Sequence, residues 1–387
     1  MKNKFNNRVF GAVLVKSTVA NYNADFTGSP RTLPNGVVYA TDKALKYAIR
    51  NYLKQDKQDK IFFTTRYKQK NMQPLDIDET YIELFGKYPI FVKDFNKKDK
   101  KGKTNIQKMI DKPIYVNYSI KEEKKDFLIL SKEKEKDILF IDSDDKKVKI
   151  VLENIFKSLD IKLFGATYTS QEKVKISESA KESKITFSIH GNVQITHGLN
   201  IYAENNIFIE DITSPFKNSN EKSKDSMQTT IGNQTVLEEG HYLHNFTINP
   251  KNSEELVKLI DNQGYLTDGD IKKFKEAINR GASYLDSASK IGVENEFSIF
   301  ITLNEGVKIQ LPSFTTLIKV EEQEDGFKRK LDLSEVKNLL EDVEDSIEKV
   351  EIFIDATKLD YDDEIFDIQK VCVKSIISDK ELKRCQK

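Results

Sequence analysis

Residues 41–53, Thr-Asp-Lys-Ala-Leu-Lys-Tyr-Ala-Ile-Arg-Asn-Tyr-Leu, can be buried in only one way. At about 3.6 residues per turn, Ala44, Leu45, Ala48, Ile49, Tyr52 and Leu53 line one side of a helix. Lys43, Lys46, Tyr47 and Arg50 line the other, and Thr41 stands where an N-cap belongs. The first side needs a core. The second is three cations around one ring, with Asp42 as the only carboxylate in reach. That stripe fits a solvated helix face. It also fits a track for a line of phosphates with a base or sugar packed beside it.

Before this helix, residues 8–19 form an unbroken apolar run that reads as a buried strand. The intervening 20–40 is rich in Asn, Gly and Pro and reads as a loop. Beyond the helix the pattern weakens. Residues 93–108 hold seven lysines against two aspartates, and 70–150 reads as an insertion, partly mobile. Alternation returns at 159–166 and 185–196, both read as strands. Strand-like segments at 193–212 and 235–248 flank a patternless tip, 215–233, which together make a long hairpin. Helices are expected at 253–261 and 268–288, a strand at 297–303 and an acidic amphipathic helix at 330–350. Without the insertion and the hairpin, the order is a βαββαβ core, an α+β fold of the ferredoxin or RRM type.

Charge sharpens the reading of the helix. The whole chain is neutral, with 62 Lys/Arg against 62 Asp/Glu. Residues 1–70, however, carry 14 Lys/Arg against 4 Asp, whereas 320–366 carry 6 against 17 Asp/Glu. A basic end holding the stripe suits a polyanion, and an acidic end suits contact with other proteins or other copies. No stretch approaches the ~20 apolar residues of a membrane span. No apolar run follows the basic N-terminus as a signal peptide would require. Two isolated cysteines, Cys372 and Cys385, imply a reducing compartment and a cytoplasmic protein.

Catalytic signatures are sparse. No Gly-rich phosphate loop, His-Glu-x-x-His or Gly-x-Ser-x-Gly occurs. His190, His197, His241 and His244 lie in one window, but no Cys or carboxylate cluster accompanies them, so no metal is expected. Asp25, in the loop after the first strand, could activate a hydroxyl or could be a turn residue.

Four ordered motifs carry a family resemblance. They are Asn21-Tyr-Asn-Ala-Asp25 leading into the helix, Asp160-Ile-Lys-Leu-Phe-Gly-Ala166, Gly191-Asn-Val-Gln-Ile-Thr-His-Gly198 leading into Ile212-Thr-Ser-Pro-Phe216, and the helix ending at Arg280 followed by Ser289-Lys-Ile-Gly292. In this order they resemble the crRNA-binding backbone subunit of a type I-B CRISPR Cascade complex, in the RAMP superfamily. The first loop departs from the family's usual Asn-Pro-Asn-Gly-Asp.

The resemblance implies a right-hand architecture. The palm would comprise 1–69, 151–195 and 247–310, the fingers 70–150 and the thumb hairpin 196–246, with an acidic segment, 311–387, packed on the palm. It implies head-to-tail copies along one crRNA, other Cascade subunits as partners, and target DNA reached through guide pairing. No cofactor, metal, membrane or enzymatic activity is expected. Implied RNA contacts are Asn21, Tyr22, Asn23, Lys43, Lys46, Arg50, Lys162, Gln194, His197 and Lys290, with Met227 and Gln228 at the thumb tip where the guide kinks. The rival is a type III-like subunit that cuts target RNA with a metal and Asp25. A third reading is a general RRM-like binder of cellular RNA.

Overall fold

The structure is a computed structural model that describes residues 3–175, 181–217, 228–323, 326, 328–361, 365, 368 and 370–383. Contacts divide the chain into two units. The first comprises 1–57, 193–249 and 268–387, the second 58–192 and 250–267.

In chain order the first unit holds β1 (Val9–Ala20), α1 (Asp42–Gln55), β2 (Val193–Ile195), β3 (Gly198–Asn200), β4 (Ile207–Lys217), β5 (Gln228–Ile248), α2 (Asp268–Arg280), β6 (Val293–Leu303), α3 (Ser334–Asp342), β7 (Ile347–Ile354) and β8 (Val371–Ser375). β1 sits between two antiparallel partners, so that Val13 faces His244 of β5 and Ser298 of β6. β2 adds antiparallel to the far side of β5, pairing Ile195 with Phe246. The order β6-β1-β5-β2, with α1 and α2 as the connecting helices, is a split βαβ arrangement.

Both faces of this sheet are covered, which accounts for the unbroken apolar run of β1. On one face Phe246 meets Phe274 of α2 at a ring distance of 5.7 Å. Only glycine fits at position 11, because a Cβ there would lie 2.3 Å from the Phe246 ring. α1 packs beside α2 through Leu45, Ala48, Ile49, Tyr52 and Leu53, all buried. On the other face Phe10, Ala12, Leu14, Phe297, Ile299 and Ile301 share a core with Phe314, Ile318, Leu331, Val336 and Leu340. The acidic C-terminal region therefore closes one face of the sheet with its apolar residues.

That region is not one helix, as expected for 330–350. Arg329–Asp332 is a strand, the helix spans only Ser334–Asp342, and β7 follows. β7 pairs with β6 and β8 runs parallel to β7, extending the main sheet. Cys372 on β8 is disulfide-bonded, so the expectation of isolated thiols is corrected, and the compartment argument built on it loses that support. Among the described residues no helix is long and apolar enough to cross a membrane.

The hairpin is longer and more regular than its composition suggests. β4 pairs with β5 out to Lys217 opposite Gln228, so parts of the expected patternless tip are strand. Met227 and the rest of 218–227 lie outside the described residues.

In the second unit the expected strand at 159–166 is corrected. Leu159–Phe164 is a helix, and a strand begins only at Gly165. The helix is buried around nearly its whole circumference, so its apolar residues show no one-sided stripe. Asp160 explains its polar position by accepting bonds from the Phe62 and Phe63 amides at 2.7 and 2.9 Å. Gly165 has φ +70, and a Cβ there would lie 2.1 Å from the Ile189 carbonyl oxygen. The lysine-dense 93–108 is also folded. Thr104 and Gln107 form a capping box for the helix Asn105–Ile110, and Ile106 packs with Val92, Phe95, Leu128 and Phe140.

Candidate nucleic-acid interface

The loop between β1 and α1 is a built object. Asp25 forms its first turn, with Oδ1 accepting from the Thr27 amide at 2.8 Å, the Thr27 hydroxyl at 2.7 Å and the Ser29 amide at 3.1 Å. The Thr27 hydroxyl bond, reinforced by the two amides and Arg31, holds the Asp25 carboxyl below its usual range. Gly28 at φ +88 completes the turn, and bridges join Ala24 to Pro30 and Thr32 to Val38.

Three residues expected to contact RNA instead hold this loop. Asn21 is buried, and its Nδ2 donates to the Gly28 and Thr235 carbonyls at 2.9 and 3.2 Å. Tyr22 is buried, with its hydroxyl 3.3 Å from Nε2 of His244 and its ring edge-on to Tyr242 at 5.1 Å. The Lys290 ammonium donates to the Asn21 and Tyr22 carbonyls at 2.6 and 2.8 Å. Burial pushes its pKa down to about 8. The side-chain donors of Asn21 and Tyr22 are thus turned into the fold.

Asn23 links the loop to the helix. Its Oδ1 accepts from the Thr41 amide at 2.8 Å and the Thr41 hydroxyl at 2.9 Å. Thr41 is the N-cap and accepts from the Ala44 amide. Asp42 follows in the first turn, where a carboxylate suits the helix dipole. Its amide donates to Nδ1 of His197 at 3.2 Å, and His197 stacks on Tyr39 at 5.7 Å. Burial pushes the Asp42 carboxyl up, but Lys46, His197 and Lys43 outweigh it and hold it below the usual carboxylate range.

The helix stripe is present but unequal. Lys43 and Tyr47 are exposed, while Lys46 and Arg50 are half-buried. Lys46 lies 2.9 Å from Asp42, one turn away, so part of its charge is already met. Gln194 is exposed on β2, opposite Thr247. Lys162, in the second unit, is half-buried on the helix Leu159–Phe164. Gln228 opens β5.

Two residues were missed by the sequence reading. Phe26 is fully exposed at the loop turn, and the Arg31 guanidinium carbon lies 6.0 Å from its ring centre. The signal was a lone aromatic among turn formers in Asp25-Phe-Thr-Gly28. Together the loop and α1 present cations and exposed rings. Among the described residues no three His, Cys, Asp or Glu side chains converge as metal ligands.

A basic, ring-bearing loop–helix surface on a split βαβ core defines a class of nucleic-acid-binding protein. The sequence profile of the CRISPR-associated protein Cas7 family matches residues 7–344, and the chain belongs to that family. Its members form the crRNA-binding backbone of CRISPR RNA-guided surveillance complexes. Among solved structures, a chain of a "CRISPR RNA-guided surveillance complex, pre-nicking" is 12% identical with a TM-score of 0.44, covering 91% of this chain and 94% of that one. A chain of a second "CRISPR RNA-guided surveillance complex" is 12% identical with a TM-score of 0.42, covering 91% of each. A search of curated proteins finds no match.

Proposed function

We propose that this chain is a non-catalytic, cytoplasmic backbone subunit of a type I Cascade complex, of the I-B subtype its motifs resemble. It polymerises head to tail along one crRNA and presents the guide for pairing with target DNA. The observation that carries this reading is the loop tied to the N-cap of α1 through Asn23 and Thr41, with Phe26 and Arg31 on the loop and Lys43, Lys46 and Arg50 on the helix. Lys43, Lys46 and Arg50 neutralise backbone phosphates and read no bases, so sequence recognition is left to base pairing. Each copy holds the guide weakly, and copies joined on one RNA hold it through avidity. Gln194 and His197 extend the contact beside the helix start. Lys162, Met227 and Gln228 are further contacts, the last two where the β4–β5 hairpin acts as a thumb. Residues 70–150 serve as the fingers, and the remaining Cascade subunits dock at the ends of the filament.

An RRM-like binder of general RNA stacks bases on its open sheet face. Here that face is closed by Phe314, Ile318, Val336 and Leu340, which disfavours that alternative. The test is to express the chain with a repeat–spacer transcript, sequence the RNA that copurifies and image the particles. Repeat-derived guides in regularly segmented filaments are expected, whereas cellular RNA alone would overturn the reading.

The metal-dependent alternative rests on Asp25, which is half-buried in the same loop. Its Oδ1 accepts three bonds within its own turn, which supports a structural role. Incubation with complementary RNA and a divalent cation is expected to leave the RNA intact. Cuts at fixed spacing, lost in Asp25→Ala, would overturn the non-catalytic assignment.

A further inference from the structure

We propose that Lys290 is a positioning residue for guide binding: its side chain clamps the start of the β1–α1 loop from beneath and touches no phosphate itself. This rests on the proposed function above.

The geometry is specific. The turn carrying Lys290 is stitched to the end of β1 by two backbone bonds, Thr18 N–H to the Gly292 carbonyl and Asn21 N–H to the Ser289 carbonyl, each 2.9 Å. Gly292 permits this approach, since it has φ +94 and a Cβ there would lie 2.4 Å from the Thr18 carbonyl oxygen. From this fixed base the Lys290 ammonium reaches two consecutive carbonyls, Asn21 and Tyr22. Consecutive carbonyls directed at one cation fix the peptide plane between them. They thereby fix the departure direction of the chain that carries Asn23, Phe26 and Arg31. An ammonium has three donors, and two are spent here.

Among the described residues no carboxylate pairs with this ammonium, and burial alone lowers its pKa to about 8. The titratable groups around it leave the same range clear. Burial raises Tyr22 far above it, and burial lowers His244 to about 4. Asp25 lies on the acid side. Burial is the only cause of the Lys290 shift, with no charged side chain among the described residues adding to it.

The clamp and the fold therefore respond to pH in opposite directions. Lys290 is depressed below its unfolded value of 10.5, so between about pH 8 and 10.5 the unfolded chain holds more protons. Its contribution to fold stability rises with pH across that window. The clamp weakens across the same window, because a neutral amine makes poorer bonds to carbonyls than an ammonium does.

The test uses the full chain and a fluorescently labelled single-stranded oligouridine. Lys290→Met is expected to weaken binding about tenfold at pH 7, as loss of two charge-assisted bonds predicts. Its dependence of log affinity on log salt should match wild type. Wild-type affinity should fall between about pH 7 and 9.5 while its thermal unfolding temperature does not. Lys290→Met should lack that fall, and Lys290→Arg should recover affinity and stay flat, since a guanidinium does not titrate there. Wild-type-like binding by Lys290→Met overturns the clamp. So does a salt slope lowered by about 0.7, which would make Lys290 itself a phosphate ligand. Failure of the wild type to bind RNA at all would instead overturn the proposed function.

Discussion

The loop after β1 and the helix that follows it are both rich in polar and basic residues, yet they use them in opposite directions. In the loop, Asn21 and Tyr22, with Lys290 beneath them, spend their polar atoms on the protein's own carbonyls and on His244. On α1, Lys43 and Tyr47 face outward, and Lys46 pairs with a neighbouring Asp42. The loop therefore provides shape and the helix provides charge. Damage to the buried Tyr22 anchor should appear in stability, damage to the Lys290 clamp in RNA affinity at an unchanged salt slope, and damage to the helix face in RNA affinity and its salt dependence.

The largest effect expected is for Tyr22→Ala. Tyr22 is 3% exposed among Tyr242 and His244, so its removal should cost about 3–5 kcal/mol in urea unfolding. A loss below about 1 kcal/mol would show that the loop does not depend on this anchor.

Next comes the acid limb. Burial lowers His244 from 6.5 to about 4, so the fold prefers it neutral. Stability from this group is present above pH 6.5 and is lost as pH falls toward 4, by about 3 kcal/mol in all. His241, three residues away on β5, has the opposite sign. Burial pushes it down, but Glu239 and Glu296 outweigh that and raise it. Its contribution is full below pH 6.5 and is lost as pH rises through its raised value. Urea unfolding across the acid range checks the pair, and a flat profile between about pH 7 and 4.5 would contradict a neutral buried His244.

Phe26→Ala should leave stability within about 0.5 kcal/mol, because the ring is fully exposed, yet lose about 1–3 kcal/mol of single-stranded RNA binding. Fluorescence titration with oligouridine reads this directly. Unchanged affinity would remove the stacking role. The smallest effect is Lys43→Ala, which should lower the salt slope by about 0.7 and barely move unfolding.

Much of the fold was legible. β1 announces itself through a run buried on both sides, and α1 through a two-faced pattern that the structure reproduces at Leu45, Ala48, Ile49, Tyr52 and Leu53 but not at the half-buried Ala44. The βαββαβ order was legible only in part: β1, α1, α2 and β6 stand where expected, but of the expected middle strands 159–166 is largely a helix and 185–196 supplies only the short β2, while the central β5 comes from the hairpin that the reading set aside. The helix Leu159–Phe164 was not, because a short helix buried all round loses its 3.6-residue signature, and the alternating Leu159, Ile161 and Leu163 imitate a strand. Residues 330–350 misled for a related reason. Leu333, Val336 and Leu340 are helical neighbours, but the apolar series runs on without a break into β7.

The candidate site was legible in place but not in orientation. Asn21, Tyr22 and Asn23 were read in one loop, whereas Lys290 was named only as a separate candidate, and the structure brings its ammonium to that loop. Whether an Asn or a Lys points outward depends on tertiary partners such as Thr235 and the Asn21 carbonyl, which local sequence does not encode. Phe26 was passed over because it obeys no periodicity.

The central claim is that the outer face of α1 is a phosphate track positioned by an anchored loop. The most direct test is the salt dependence of oligouridine binding by wild type and by the Lys43→Ala, Lys46→Ala, Arg50→Ala triple variant. The account predicts weaker binding, a salt slope lowered by about 2, and near-wild-type unfolding. An unchanged slope would contradict it.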